Sequence, residues 1–122
     1  MARRQEVGAW GEAIAARHLA ERGYTVRDRN WRFGHGELDI VAERGGVVVF
    51  VEVRARHGDA FGAPEETLSP GKQAKLIETA QAYLDARDLG DAQWQIDVIA
   101  IELDGRNALT RLDHIEAAIE RS

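Results

Sequence analysis

The chain has 122 residues, 44% hydrophobic and 30% charged, with a formal net charge of −5 and no cysteine. That length suits one domain, residues 1–122, with a modest core, and the lack of cysteine removes disulfides and thiolate metal sites. No run of about 18 apolar residues argues for a membrane span, and the charged start MARRQEVGAWGE lacks the apolar segment of a secretory signal, so a cytoplasmic protein is expected.

Residues 4–22 carry Val7, Trp10, Ile14 and Leu19 at near-helical spacing, with Gly23 as a natural stop, and predict a first helix. Tyr24 to Arg32 reads as a strand. Two apolar runs follow, Leu38 to Ala42 and Val47 to Val53, joined by a Gly45-Gly46 dipeptide suited to a tight hairpin turn. The stretch HGDAFGAPEETLSP shows little periodicity, and loops of that length are usually functional or disordered. Ser69-Pro70 then opens a second helix, Ser as N-cap and Pro at the first helical position. Leu76, Ile77, Ala80, Tyr83 and Leu84 form its expected buried stripe to about Arg87. WQIDVIAIEL reads as an internal strand. A short edge strand near Ala108–Leu112 and a final helical turn or two over His114–Arg121 complete the chain. The fold class is α/β, a mixed sheet flanked by helices.

Charge is unevenly spread. Residues 1–35 hold seven arginines against four acids, residues 36–75 five basic and seven acidic residues, and residues 76–122 four arginines against ten acids. The net charge argues on average against a nucleic-acid partner, but the gradient allows one basic face on an acidic molecule.

The hairpin raises a chemical question. A two-residue turn at Gly45-Gly46 places Asp39 opposite Glu52 and Glu37 opposite Arg54, all on one face. Glu37 and Arg54 make a natural ion pair. Asp39 against Glu52 does not, because like charges directly opposite repel. A divalent cation between them resolves the conflict, since two carboxylates with water and a substrate phosphate are a usual Mg²⁺ arrangement. A bland alternative stays open: one carboxylate reaches solvent while the other pairs with Arg54 or Arg56. His18, His35, His57 and His114 show no HxxxH or HxH spacing, which argues against a histidine metal site. Trp10, Trp31 and Trp94 read as core or sheet-face residues, with Trp31 also placed to stack on an unpaired base. Asp97, in an internal strand, is expected to hold a neighbouring arginine.

Asp39, twelve intervening residues, then Glu52-Val53-Arg54 resembles the PD-(D/E)xK nuclease signature on its αβββαβ core. Gly8, Gly11-Glu12, Gly23-Tyr24, Asn30, Gly36-Glu37-x-Asp39-Ile40-Val41-Ala42, Val49-Phe50-Val51-Glu52-Val53 and Lys72 resemble the bacterial YraN family, itself similar to archaeal Holliday-junction resolvases. The resemblance covers nearly the whole chain. It implies a restriction-endonuclease-like fold and a Mg²⁺- or Mn²⁺-dependent endonuclease of branched or structured DNA. Asp39 and Glu52 would be metal ligands, joined by the Val53 backbone carbonyl. Glu12 matches an acid on the first helix that completes or orients the site, and Glu37 would support the site or help hold a second cation. Arg54 stands where the broader signature usually has Lys. Arginine grips a phosphate oxygen well but is a poor general base, so Lys72, Gln73 or Lys75 on the next helix could lend a side chain. Arg4, Arg29, Arg32, Arg56, Lys72 and Lys75 would hold flanking phosphates. A homodimer would suit two symmetric cuts, and a non-catalytic DNA-binding module on the same fold is the rival reading.

Overall fold

In the computed structural model, residues 2–58 and 68–119 are described, with side chains from Gly8 onward. The elements are α1 (Ala2–Glu21), β1 (Thr25–Phe33), β2 (Gly36–Arg44), β3 (Val47–His57), α2 (Pro70–Ala86), β4 (Gln93–Leu103) and β5 (Leu109–Ile115). They make one five-stranded sheet in the order β1-β2-β3-β4-β5. Only β3 and β4 run parallel, and α2 is the crossover between them. This is the αβββαβ order with one strand appended.

Local chemistry sets most boundaries. Gly23, at φ 85°, lets the chain leave α1 in a conformation that a side chain would strain. Gly45 and Gly46 both have positive φ, 59° and 80°, as a two-residue reversal between twisted strands requires. Their turn fixes the expected register, Arg44 opposite Val47 through Ile40 opposite Val51. The Ser69 hydroxyl caps α2 by accepting the Lys72 amide at 3.1 Å, and Pro70 occupies the first turn.

Strand alternation gives the sheet two apolar faces. Val48, Phe50, Ile96 and Val98 pack with Leu76, Ala80, Tyr83 and Leu84 of α2, while Val49, Val51, Ile99 and Ile101 pack with Ala15 and Leu19 of α1. The helices therefore cover opposite faces.

The structure departs from the sequence expectations at the α2 stripe, the last strand and Trp10. The α2 stripe buries Thr79 and leaves Ile77 partly buried, because the Thr79 hydroxyl is satisfied by the Lys75 carbonyl at 2.8 Å and its body fills space beside Gly36. The edge strand continues to Ile115, so His114 lies in β5 and a turn, not a helix, follows it among the described residues. Trp10 is 50% exposed, whereas Trp31 and Trp94 pack on the α2-side core. The loop over 59–67 lies outside the described residues.

Gly36 sits where β2 meets α2, and a Cβ there would fall 1.9 Å from the Thr79 hydroxyl oxygen. Gly36→Ala is expected to destabilise the fold by roughly 1–3 kcal/mol through overpacking. Thr79→Ala in the same chain should recover much of the loss. Denaturant midpoints of the single and double variants measure this; additive losses would show that the crowding is relieved some other way.

Candidate active site

The β2–β3 ladder ends at Ile40↔Val51, although β2 reaches back to Gly36 and β3 on to His57. The strands part at the point where Asp39 and Glu52 follow. β2 also turns over here. Leu38 packs on the α2 side and Ile40 on the α1 side, although residues two apart in a regular strand share a face. The same reversal occurs opposite, between Arg29↔Ile40 and Trp31↔Leu38, where Asn30 adopts φ 54°. A left-handed asparagine across from Asp39 thus marks a built irregularity.

This fork gathers four carboxylates. Asp39 and Glu52 lie within hydrogen-bonding reach of each other. Asp39 Oδ2 also accepts the Val53 backbone N–H at 2.8 Å. Glu12, from α1, is hydrogen-bonded by the Asn30 side chain and lies close enough to Glu37, Glu52 and Asp39 to feel their charge. Gly11 lets α1 approach this closely, since a Cβ there would meet the Ala55 Cβ at 2.5 Å.

Cations answer three of the four. Glu52, only 6% exposed, has Lys72 Nζ at 3.2 Å and Arg54 at 3.6 Å. Glu12 faces Arg29 at 4.0 Å, and Glu37 pairs with Arg32 at 3.0 Å. The expected Glu37–Arg54 pair is therefore replaced: the irregular strand turns Glu37 toward β1, and Arg54 turns to Glu52. Among the described residues, Asp39 has no cation within ion-pair distance. Burial, then the adjacent Glu52 charge, push its carboxyl up to about 8 against the Val53 hydrogen bond. Burial raises the Glu12 carboxyl too, with Asn30 and Arg29 opposing.

The sheet edge and helices place the other residues of interest. Lys75 reaches Glu78 at 3.2 Å, Gln73 donates to the Leu68 carbonyl, and Arg56 lies 3.5 Å from Glu102 with its side chain 17% exposed. Arg29 and Arg32 are exposed on β1 beside the fork. The Arg4 side chain lies outside the described residues. Among the described residues no group of three or more His, Asp or Glu side chains is arranged to enclose an ion. The donor set is the Asp39–Glu52 pair.

The family model described as "Uncharacterised protein family UPF0102" matches residues 11–101. The chain belongs to this family, the YraN family. A UPF0102 protein of Roseiflexus castenholzii is 46% identical over 98% of both chains. One from Myxococcus xanthus is 43% identical over 98% of this chain and 93% of its own. Solved structures with some likeness include an fdxN element excision controlling factor protein from Anabaena variabilis, at 14% identity and TM-score 0.44, covering 85% of this chain and 98% of its own. Pyrococcus furiosus SfsA in complex with Ca²⁺ shows 15% identity and TM-score 0.39, covering 97% and 65%. The five-stranded sheet with α1 and α2 on its opposite faces defines the fold of this UPF0102 chain. No helix among the described residues is long and apolar enough to cross a membrane.

Proposed function

We propose that this UPF0102 protein is a divalent-metal-dependent endonuclease that hydrolyses phosphodiester bonds in branched or structured DNA. The observation that carries the reading is Asp39, a half-buried carboxylate beside the buried Glu52 and without a cationic partner among the described residues. Such a pair needs either a shared proton or a cation. Two oxygen donors with room for water and a phosphate suit Mg²⁺ or Mn²⁺. Asp39 and Glu52 would hold the ion, the Val53 carbonyl would join them as the family resemblance implies, and Glu12 and Glu37 stand behind them. Bound there, the ion would neutralise phosphate charge and acidify an attacking water.

The chain's own groups do the rest. Lys72 Nζ stands closer to Glu52 than Arg54 does, so the cationic role that the signature gives to a lysine two residues after the glutamate falls on α2 as well as on β3. Both cations can stabilise negative charge on a phosphate as it develops. Arg29 and Arg32 carry the flanking phosphates, with Arg4 and Lys75 as further contacts. Arg56, with its side chain only 17% exposed, is the least accessible of the proposed phosphate contacts. Two copies of the chain would give the paired cuts a four-way junction needs.

A panel of junction, flap, single-stranded and duplex DNA, with and without Mn²⁺, tests this. Cleavage of the branched substrates should require the metal. Lys72→Ala should slow it by about 100-fold, consistent with losing one charge-stabilising group, and Arg54→Lys should retain or raise it. If wild type and Arg54→Lys bind DNA but cut nothing with either metal, the chain is a DNA-binding module.

A further inference from the structure

A second cluster of titratable groups lies away from the fork. Asp97 on β4 is fully buried. Its Oδ1 accepts the Ala117 amide at 2.9 Å and Gln95 Nε2 at 2.8 Å, and its Oδ2 lies 2.8 Å from His114 Nε2. It holds a histidine, not the arginine expected. A carboxylate only accepts, so His114 Nε2 carries a proton toward Asp97, and Nδ1 is the ring atom left facing His18. That Nδ1 lies 3.2 Å from Nε2 of His18 on α1, 96 positions away in sequence. Both rings line a cleft of about 710 Å³ shared with Arg22, Tyr24, Arg44 and Glu116.

We propose that His18 Nε2 and His114 Nδ1 form a second metal site, specific for a borderline transition ion such as Zn²⁺, Co²⁺ or Ni²⁺, with Asp97 fixing the His114 ring. Two nitrogens bound ~2.0–2.1 Å from one tetrahedral ion stand about 3.3 Å apart, close to the separation observed. A histidine ligand needs its other N–H held by a carboxylate or carbonyl, which sets the tautomer and raises its basicity; Asp97 does this from a position water does not reach. Burial, then Arg22 and His114, lower the His18 pKa, which favours the unprotonated ring that a metal ion requires. Without metal, the His18 Nε2–H donates to His114 Nδ1. Loading gives up that hydrogen bond, and any proton on the two facing nitrogens leaves to solvent. The remaining coordination positions open onto the cleft, where Glu116 and the buried Asp97 offset the ion's charge.

An anion fits the cleft less well. Arg44 already stacks 4.2 Å over the Tyr24 ring and pairs with Glu116 at 3.8 Å. With the His18 pKa lowered, a phosphate would meet little beyond Arg22. The metal reading is also independent of cleavage at the fork, since hard Mg²⁺ prefers oxygen donors and imidazole favours the borderline ions.

The test is titration of the full chain with Co²⁺ or Zn²⁺ in excess Mg²⁺, followed by visible absorption, calorimetry and thermal shift. One equivalent should bind, and His18→Gln or His114→Gln should abolish it. Asp97→Asn should weaken it about 10–100-fold; if that variant fails to fold, His18→Gln, on a helix face, still decides. Binding that survives His18→Gln would put the ion elsewhere and overturn the site. Absence of binding would reduce the pair to a hydrogen bond docking α1 on β5. Stabilisation by inorganic phosphate instead, lost in Arg22→Ala, would overturn it in favour of an anion site.

Discussion

Asp39→Asn and Glu52→Gln are each expected to lower metal-dependent DNA cleavage by about 10³-fold or more, on the order expected when a site loses its electrostatic stabilisation and its activated water together. Each change keeps side-chain size but removes a charge that the cation requires. DNA binding in the absence of metal should persist, and above about pH 8, where Asp39 is ionised, Asp39→Asn should tighten it by removing a carboxylate that repels phosphate. The two changes should differ in one respect. Glu52→Gln also strands Lys72 and Arg54, which lie 3.2 and 3.6 Å from Glu52, and so should cost some folding stability. Asp39→Asn strands no cation among the described residues. Cleavage rates and binding curves on one branched substrate measure the split; equal loss of binding and cleavage would mean that the carboxylates only shape a binding surface.

Metal-free protein should lose stability as pH rises from about 4 to about 8. In the unfolded chain an aspartate titrates near ~3.9, whereas the folded Asp39, beside Glu52, titrates at about 8. Between those values the folded state keeps a proton that the unfolded chain releases. The stabilisation from this group is therefore complete below the lower value and is lost as pH passes the higher one. The proton belongs to the Asp39–Glu52 pair as a unit. Asp39→Asn should flatten that part of the profile and raise the melting temperature at pH 8 by roughly 5–10 °C, the scale of one to two kcal/mol in a domain of this size. His18, whose pKa is lowered, works in the opposite sense near pH 6, so the difference between wild type and Asp39→Asn is the quantity to follow. Mg²⁺ at pH 8 should restore wild type by binding only the folded state and leave Asp39→Asn unmoved. A pH profile shared by both proteins would show that the carboxyls are separately solvated.

The fork was legible in sequence because its cause is local. Two glycines at positive φ fix a two-residue turn, and the turn fixes which residues face each other. Ser69-Pro70 announced α2 for the same reason: capping is written in adjacent residues. What escaped depends on the tertiary fold. The reversal at Asn30 and Asp39 breaks the two-residue period on which the Glu37–Arg54 pairing rested, and nothing in a single strand's sequence signals it. Glu12 carries no spacing signal either, because α1 reaches the fork through Gly11 packing on Ala55; family resemblance pointed to it. His18 and His114 fail every local metal motif, being 96 positions apart, and only the buried Asp97 on β4 brings one ring to the other. The last strand outran its expected end because His114 and Ile115 keep pairing with β4, opposite Ile99 and Val98.

Calorimetric titration of Mg²⁺ into the full chain at pH 8 tests the central claim most directly. The His18–His114 imidazoles are poor donors for this hard ion, so heat should report the carboxylates alone. Wild type should bind, and Asp39→Asn and Glu52→Gln should each abolish binding while remaining folded. Mg²⁺ affinity unchanged in both variants would contradict the assignment of the metal to the Asp39–Glu52 pair.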